Sequence, residues 1–196
     1  VVSDNASITV VRTKEKPAIS ANLVDWLNTL QLRKLEISLS GFSDDDARAL
    51  ENLKIDYAIT IFLGEDSGDL SSLTTAKNVQ LLGHTISAEQ ARQVSQLDGV
   101  FLVLDVRTLS ADSIAALNGK HSPAYLRLAR TRLNEDAWRA LSQLDVPTMT
   151  LDRVSTKSIP TTSSAIGKSG GMTQLRIIES PLTPEDALNV TRIFPF

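Results

Sequence analysis

Leu32-Arg33-Lys34-Leu35-Glu36-Ile37-Ser38-Leu39-Ser40-Gly41-Phe42 carries apolar side chains at its positions 1, 4, 6 and 11. Leu35 and Ile37 lie two residues apart, the period of one face of a strand, and Phe42 comes after a polar turn. The 4, 6, 11 pattern returns as Val79, Leu81, Ile86, then as Leu102, Leu104, Leu109, as Leu126, Leu128, Leu133, and as Leu175, Ile177, Leu182. Looser copies are Ile59 with Ile61, Met149 with Leu151, and Ile8 with Val10.

The stretch behind each copy repeats too. Ser43 leads to Ala47, Leu50 and Leu53; Ser87 to Ala91, Val94 and Leu97; Asn134 to Trp138, Leu141 and Leu144; Thr183 to Ala187, Val190 and Ile193. Ser20, Asp66 and Ser110 head similar runs. Apolar residues spaced by three and four mark one helix face, and a Ser, Thr, Asn or Asp in front accepts a free first-turn N–H. Acidic residues behind the cap, such as Asp44 to Asp46, Glu89 and Glu185, face the positive end of the helix dipole, and Pro184 falls where its missing N–H costs nothing. The caps fall at 20, 43, 66, 87, 110, 134 and 183, so all but the last interval are 21 to 24 residues. That last interval has room for two units. Such regularity signals a repeat architecture. Each unit reads as a short strand, a turn and a helix, and stacked units bury a shared core between a parallel sheet and a row of helices. A doubly wound α/β sheet is the competing reading, but its strand–helix units usually need ~30 residues or more.

The pattern resembles the leucine-rich repeat, L-x-x-L-x-L-x-x-N-x-L, which Leu32, Leu35, Ile37 and Phe42 match. The resemblance runs from Ile8 to Ile193, and arms such as Ser87-Ala88-Glu89-Gln90-Ala91 resemble those of many bacterial members. It implies an α/β solenoid with a curved parallel sheet on the concave side and helices on the convex side. The expected organisation is one domain over residues 1–196, of about seven or eight units. Residues 1–31 form an N-terminal capping unit, with Trp26 on its helix, 152–171 an irregular unit and 172–196 a C-terminal unit. Two features depart from the family, one of them an eroded position 1, held by Ala76, Gly99, Pro123 and Met172. Where its asparagine stands, this chain has Ser40, His84, Arg107, Thr131 and Ser180, so Ser and Thr hydroxyls or water must satisfy the loop backbone. The irregular unit holds Ser158-Ile159-Pro160-Thr161-Thr162, poor helix material, and is expected to be a loop or a broken helix. The chain ends Ile193-Phe194-Pro195-Phe196, so either these rings fold over the last unit or the natural chain continues.

Composition narrows the function. The chain has 196 residues, 42% hydrophobic and 22% charged, which is globular composition. A net charge of -3 leaves no basic excess for a phosphate backbone, so no nucleic-acid partner is expected. The absence of cysteine removes disulfides, thiolate metal sites and Cys nucleophiles. No apolar run reaches the ~18–20 residues of a spanning helix, so no membrane insertion is expected. The start at Val1-Val2 reads as an excised or processed piece. Gly167-Lys168-Ser169 suggests a phosphate loop, but Thr162 replaces its first glycine and Gly170-Gly171 replaces the helix that should come next. His84 and His121 are not at ligand spacing, and His84 reads as a turn residue. Asp44-Asp45-Asp46 lacks the alternating ligands and glycine of a calcium loop and reads as helix capping. The expectation is a protein with no catalytic site, cofactor or metal. Asn5 and Asn189 head glycosylation sequons, relevant only to a secreted eukaryotic chain.

The remaining candidate is the sheet face turned away from the helices. Aligning the units puts Phe101 and Tyr125 beside Asn78 in one row, Val103 and Arg127 beside Gln80 in a second, and Leu82 beside Asp105 in a third. The candidate partner-binding residues are Phe62, Leu82, Phe101, Val103, Tyr125, Arg127 and Arg176, with Arg130 and Arg153 on the same flank. Aromatic side chains beside arginine are typical anchors of protein interfaces. The family resemblance implies a non-catalytic module that captures a protein or peptide there. The alternative is a structural or targeting segment whose apolar face packs against another domain of the same chain.

Overall fold

Ser20, Ser43, Ser87, Ser110, Asn134 and Thr183 each accept the backbone N–H three residues on, and a helix starts behind each. These helices are α1 (Ala21–Thr29), α2 (Asp44–Glu51), α3 (Ala88–Val94), α4 (Ala111–Ala116), α5 (Glu135–Ser142) and α6 (Pro184–Ile193). The computed structural model describes the backbone of residues 5–10 and residues 19–30, 32, 34–64, 67–160, 172–180 and 182–194 in full. The seventh expected cap, Asp66, lies outside the described residues. In that unit Asp69 caps a short 3-10 helix, Leu70–Thr75, which buries Leu70 and Leu73.

The strands are β1 (Asn5–Val10), β2 (Lys34–Leu39), β3 (Tyr57–Leu63), β4 (Asn78–Gly83), β5 (Phe101–Asp105), β6 (Tyr125–Ala129), β7 (Thr148–Asp152) and β8 (Gln174–Ile178). Every copy of the strand pattern, loose ones included, falls in one of them. They form a single open sheet in sequence order, each parallel to the next. A doubly wound sheet reverses its strand order at a switch point, and this order never reverses. The architecture is an α/β parallel sheet with helices, compatible with a solenoid. Alternate strand residues, among them Leu35, Ile37, Ile59, Leu81, Leu102 and Leu128, join Val24, Leu50, Val94, Ile114 and Trp138 of the helices in one continuous core.

The third residue of four helices reaches back as well as being capped, which ties each unit to the one before. Asp46 Oδ1 accepts from Ile19 N at 2.9 Å while its Oδ2 accepts from Ser43 N at 2.9 Å. Gln90 Nε2 donates to Gly64 O at 2.9 Å, and Ser113 Oγ donates to Ile86 O at 3.0 Å. Asp186 Oδ2 accepts from Thr156 Oγ1 at 3.3 Å. A capping box thus doubles as a tie between units. Asp44 and Asp45, the other members of the acidic run, accept from Asp69 N and pair with Arg48. Of the three, Asp46 takes part in the helix cap. Gly68 lies so close to this helix start that a Cβ on it would meet Asp44 N at 2.6 Å.

Hydroxyls serve two of the turns after the strands. Thr131 Oγ1 donates to Ala129 O at 3.0 Å, and Ser180 Oγ accepts from Val154 N at 3.0 Å. His84 is a turn residue, with Nδ1 3.1 Å from Asp105 O. Residues 153–160 contain no helix, and the rest of the irregular unit, including Gly167-Lys168-Ser169, lies outside the described residues. The C-terminal unit departs from expectation. Leu175 and Ile177 are half-buried and Leu182 and Ala187 exposed, where earlier units bury the equivalents. Among the described residues β8 has a strand neighbour on one side only, which leaves these side chains less covered. Val190, Ile193 and Phe194 are buried, so the first of the two terminal rings does fold inward. Trp26, at the other end, is 54% exposed.

Candidate functional site

Period-two alternation turns every second strand residue away from the core. On that outward face Phe62 is 50% exposed and Phe101 44% exposed, while Leu82, Val103 and Tyr125 are half-buried. Register sets their neighbours. Phe62 pairs with Leu82, Leu82 with Val103, Val103 with Arg127, Arg127 with Thr150 and Thr150 with Arg176. The row beside it runs Gln80, Phe101, Tyr125, Thr148, Gln174. Five of the seven expected residues, Phe62, Leu82, Val103, Arg127 and Arg176, therefore share one row, with Arg176 at its far exposed end, and Phe101 and Tyr125 adjoin it in the next.

This register corrects the alignment from repeats. Phe101 sits beside Gln80, two residues further along β4 than Asn78, and Val103 sits beside Leu82. A two-residue slip leaves every side chain on its own face, so the periodicity of the sequence is blind to it. Its effect is to gather Phe62, Leu82 and Val103 into one line. The Phe101 and Tyr125 rings lie 6.0 Å apart between centroids, tilted by 32°. Tyr125 Oη donates to Thr150 Oγ1 at 3.2 Å. Against Phe101 opens a groove of about 340 Å³ that crosses β2 to β5 over the small side chains of Ser38, Ala58 and Thr60.

Arginine and aspartate alternate along the C-terminal ends of the strands. Arg127 donates to Asp152 Oδ2 at 2.5 Å, and Arg153 Nε donates to Asp152 Oδ1 at 3.1 Å. Arg130 donates through Nε and a terminal nitrogen to both oxygens of Asp105, a bidentate pair across strands. Arg153 also lies 3.4 Å from Glu179. The hydrogen bond from Arg127, then that from Arg153, hold the Asp152 carboxyl below the usual carboxylate range, and the bond from Arg130 does the same for Asp105. Arg130, Arg153 and Glu179, each the residue after its strand, have φ of 54°, 54° and 47°. Left-handed backbone is uncommon outside glycine, and three successive cases turn the chain the same way at the ends of β6, β7 and β8.

The expected sheet-face residues are thus brought together, and the carboxylates that organise the flanking arginines are what sequence reasoning missed. The signal was present in Asp105-Val106-Arg107 and Asp152-Arg153, each at a strand end. Among the described residues, no group of three or more His, Asp or Glu is placed to hold a metal ion, and no helix is long and apolar enough to cross a membrane. Compared with family models, curated proteins and solved structures, the chain gives no match.

Proposed function

We propose that the chain is a degenerate leucine-rich-repeat arc, and that it works as a non-catalytic module capturing a protein or peptide on its outward sheet face. The observation that carries this reading is the contiguous line of Phe62, Leu82 and Val103 beside the Phe101–Tyr125 pair, on a face that water would otherwise wet. Exposed apolar side chains scattered singly are ordinary, whereas a contiguous patch rimmed by polar residues marks an interaction surface. The groove beside Phe101 adds a side-chain-sized recess, and a tilted aromatic pair with one hydroxyl already bonded is a rigid anchor. The supporting sheet is braced from behind by the buried core, so the patch is held in place before any ligand arrives.

Selection of displayed random peptides against the wild-type chain tests the reading. The expected outcome is enrichment of peptides with aromatic or aliphatic anchors, which lose about tenfold or more in affinity for the Phe101→Ser/Tyr125→Ser variant. Circular dichroism and Tm should match the wild type, since Phe101 is half exposed. Peptides that bind both proteins equally would place recognition elsewhere. Unfolding of the variant would make these rings part of the core.

A further inference from the structure

Two open clefts, of about 990 and 820 Å³, lie along the turns that succeed β4 to β8 and share Arg130 and Arg132 on their walls. Cations outnumber the acids free to answer them there. Asp105 is taken by Arg130, Asp152 by Arg127 and Arg153, and Glu179 lies against Arg153. Asp186 is engaged in its capping box with Thr183. Among the described residues, Arg107, Arg132 and Lys157, all exposed, have no carboxylate within ion-pair distance. The surplus is local, because the whole chain carries a net charge of -3.

The three cations are also ordered. Arg132 N donates to Arg107 O at 2.8 Å, Arg132 bridges to Thr108 on one side and to Ser155 on the other, and Lys157 is two residues beyond Ser155. Successive turns therefore present one positive side chain each, Arg107 one residue and Lys157 two residues along the chain from the positions bridged to Arg132. The hydroxyls of Thr85 and Thr108 line the same wall. A single small anion needs cations converging on one point. A row spread over three turns fits several carboxylates carried on one extended chain. Nucleic acid is disfavoured because its phosphates run on well past three cations, over a chain whose net charge is -3.

We propose that this trough binds an acidic peptide segment, rich in Asp or Glu, of the ligand whose apolar part rests on the sheet face. The proposal rests on the protein-binding reading above. β5 starts at Phe101 and Arg107 lies six residues on, so the apolar and cationic anchors stand at most about 20 Å apart at 3.3 Å per residue. The ligand then carries its acidic run about six residues from its aromatic or aliphatic anchor.

The test is titration of the full chain with octaglutamate, with inorganic phosphate and octathymidylate as separate arms. Octaglutamate should bind saturably, weaken with added salt and move the side-chain NMR resonances of Arg107 and Arg132 in the wild type. The Arg107→Gln/Arg132→Gln variant should bind about tenfold more weakly at unchanged Tm. Should that variant fail to fold, the wild-type resonances decide alone. No saturable binding, unmoved arginine resonances, equal binding by a folded variant, or equal binding of phosphate or octathymidylate would each overturn the proposal. The Phe101→Ser/Tyr125→Ser chain should bind octaglutamate as the wild type does, so loss of the sheet-face reading and loss of this one are told apart.

Discussion

Asp152 has its side chain almost wholly out of water, yet two arginines reach it from the half-exposed side, Arg127 on the strand before and Arg153 next in sequence. A carboxylate so placed needs those donors, because a buried charge without partners is costly. A second pairing occupies the left-handed turn at 130, where an arginine, and not glycine, meets the partly exposed Asp105. The conformation costs about 1 kcal/mol for a residue with a Cβ, and the guanidinium offsets it by closing bidentately on Asp105. The direction of the shifts dictates a pH dependence. The hydrogen bonds from Arg127 and Arg130 hold Asp152 and Asp105 below the ordinary carboxylate range, so the unfolded chain takes up their protons first as pH falls. Their contribution to stability is therefore complete above pH ~4, falls as pH drops below that, and is gone once both are protonated in the folded state. Asp152→Asn should cost about 1–3 kcal/mol at neutral pH by weakening charge-assisted bonds. It should also make the fall of Tm below pH ~4 shallower. Thermal melts across that range decide the matter, and an unchanged slope would mean that Asp152 is not among the groups responsible.

At the scale of the element, one residue dominates α5. Trp138 is fully buried, and among the described residues its indole Nε1 has no hydrogen-bond partner. Its contribution is therefore packing, with nothing gained from the N–H. Trp138→Ala should cost about 3–5 kcal/mol by opening a cavity, while Trp138→Phe should cost only about 1 kcal/mol because no hydrogen bond is lost. Urea denaturation of the two variants measures the ratio, and equal losses would show that the indole is held by a bond after all. Trp138 was legible from sequence as the residue four places behind the Asn134 cap, in step with Leu141 and Leu144, and so were the strand positions, because periods of two and of three to four record which side faces the core. Two things were not legible. The slip between β4 and β5 preserves every face, and the Arg130–Asp105 pair joins residues 25 apart that only the lateral stacking of strands brings together. Ala187 was misassigned for a related reason. Its helical spacing is right, but spacing does not say whether a neighbour exists to bury it.

Along the molecule, each strand contacts the strands before and after it, and α1 to α5, with the 3-10 helix between α2 and α3, contact their sequence neighbours. Stability in such an arrangement is a sum of unit and nearest-neighbour terms, so it should fall toward a side where a neighbour is missing. Strands β5 and β6 are flanked on both sides and bury Leu102, Leu104, Leu126 and Leu128 completely. On β8 the corresponding Leu175 and Ile177 remain half-buried, and Leu188 of α6 is 51% exposed. Amide hydrogen exchange reads this gradient directly. The ladder amides of β5 and β6 should open at about 2 kcal/mol or more above those of β8, with β7 between them. A single opening free energy across all four strands would mean that the sheet unfolds as one unit. The stacked-unit account would then fail at the level of energetics even with the strand order intact.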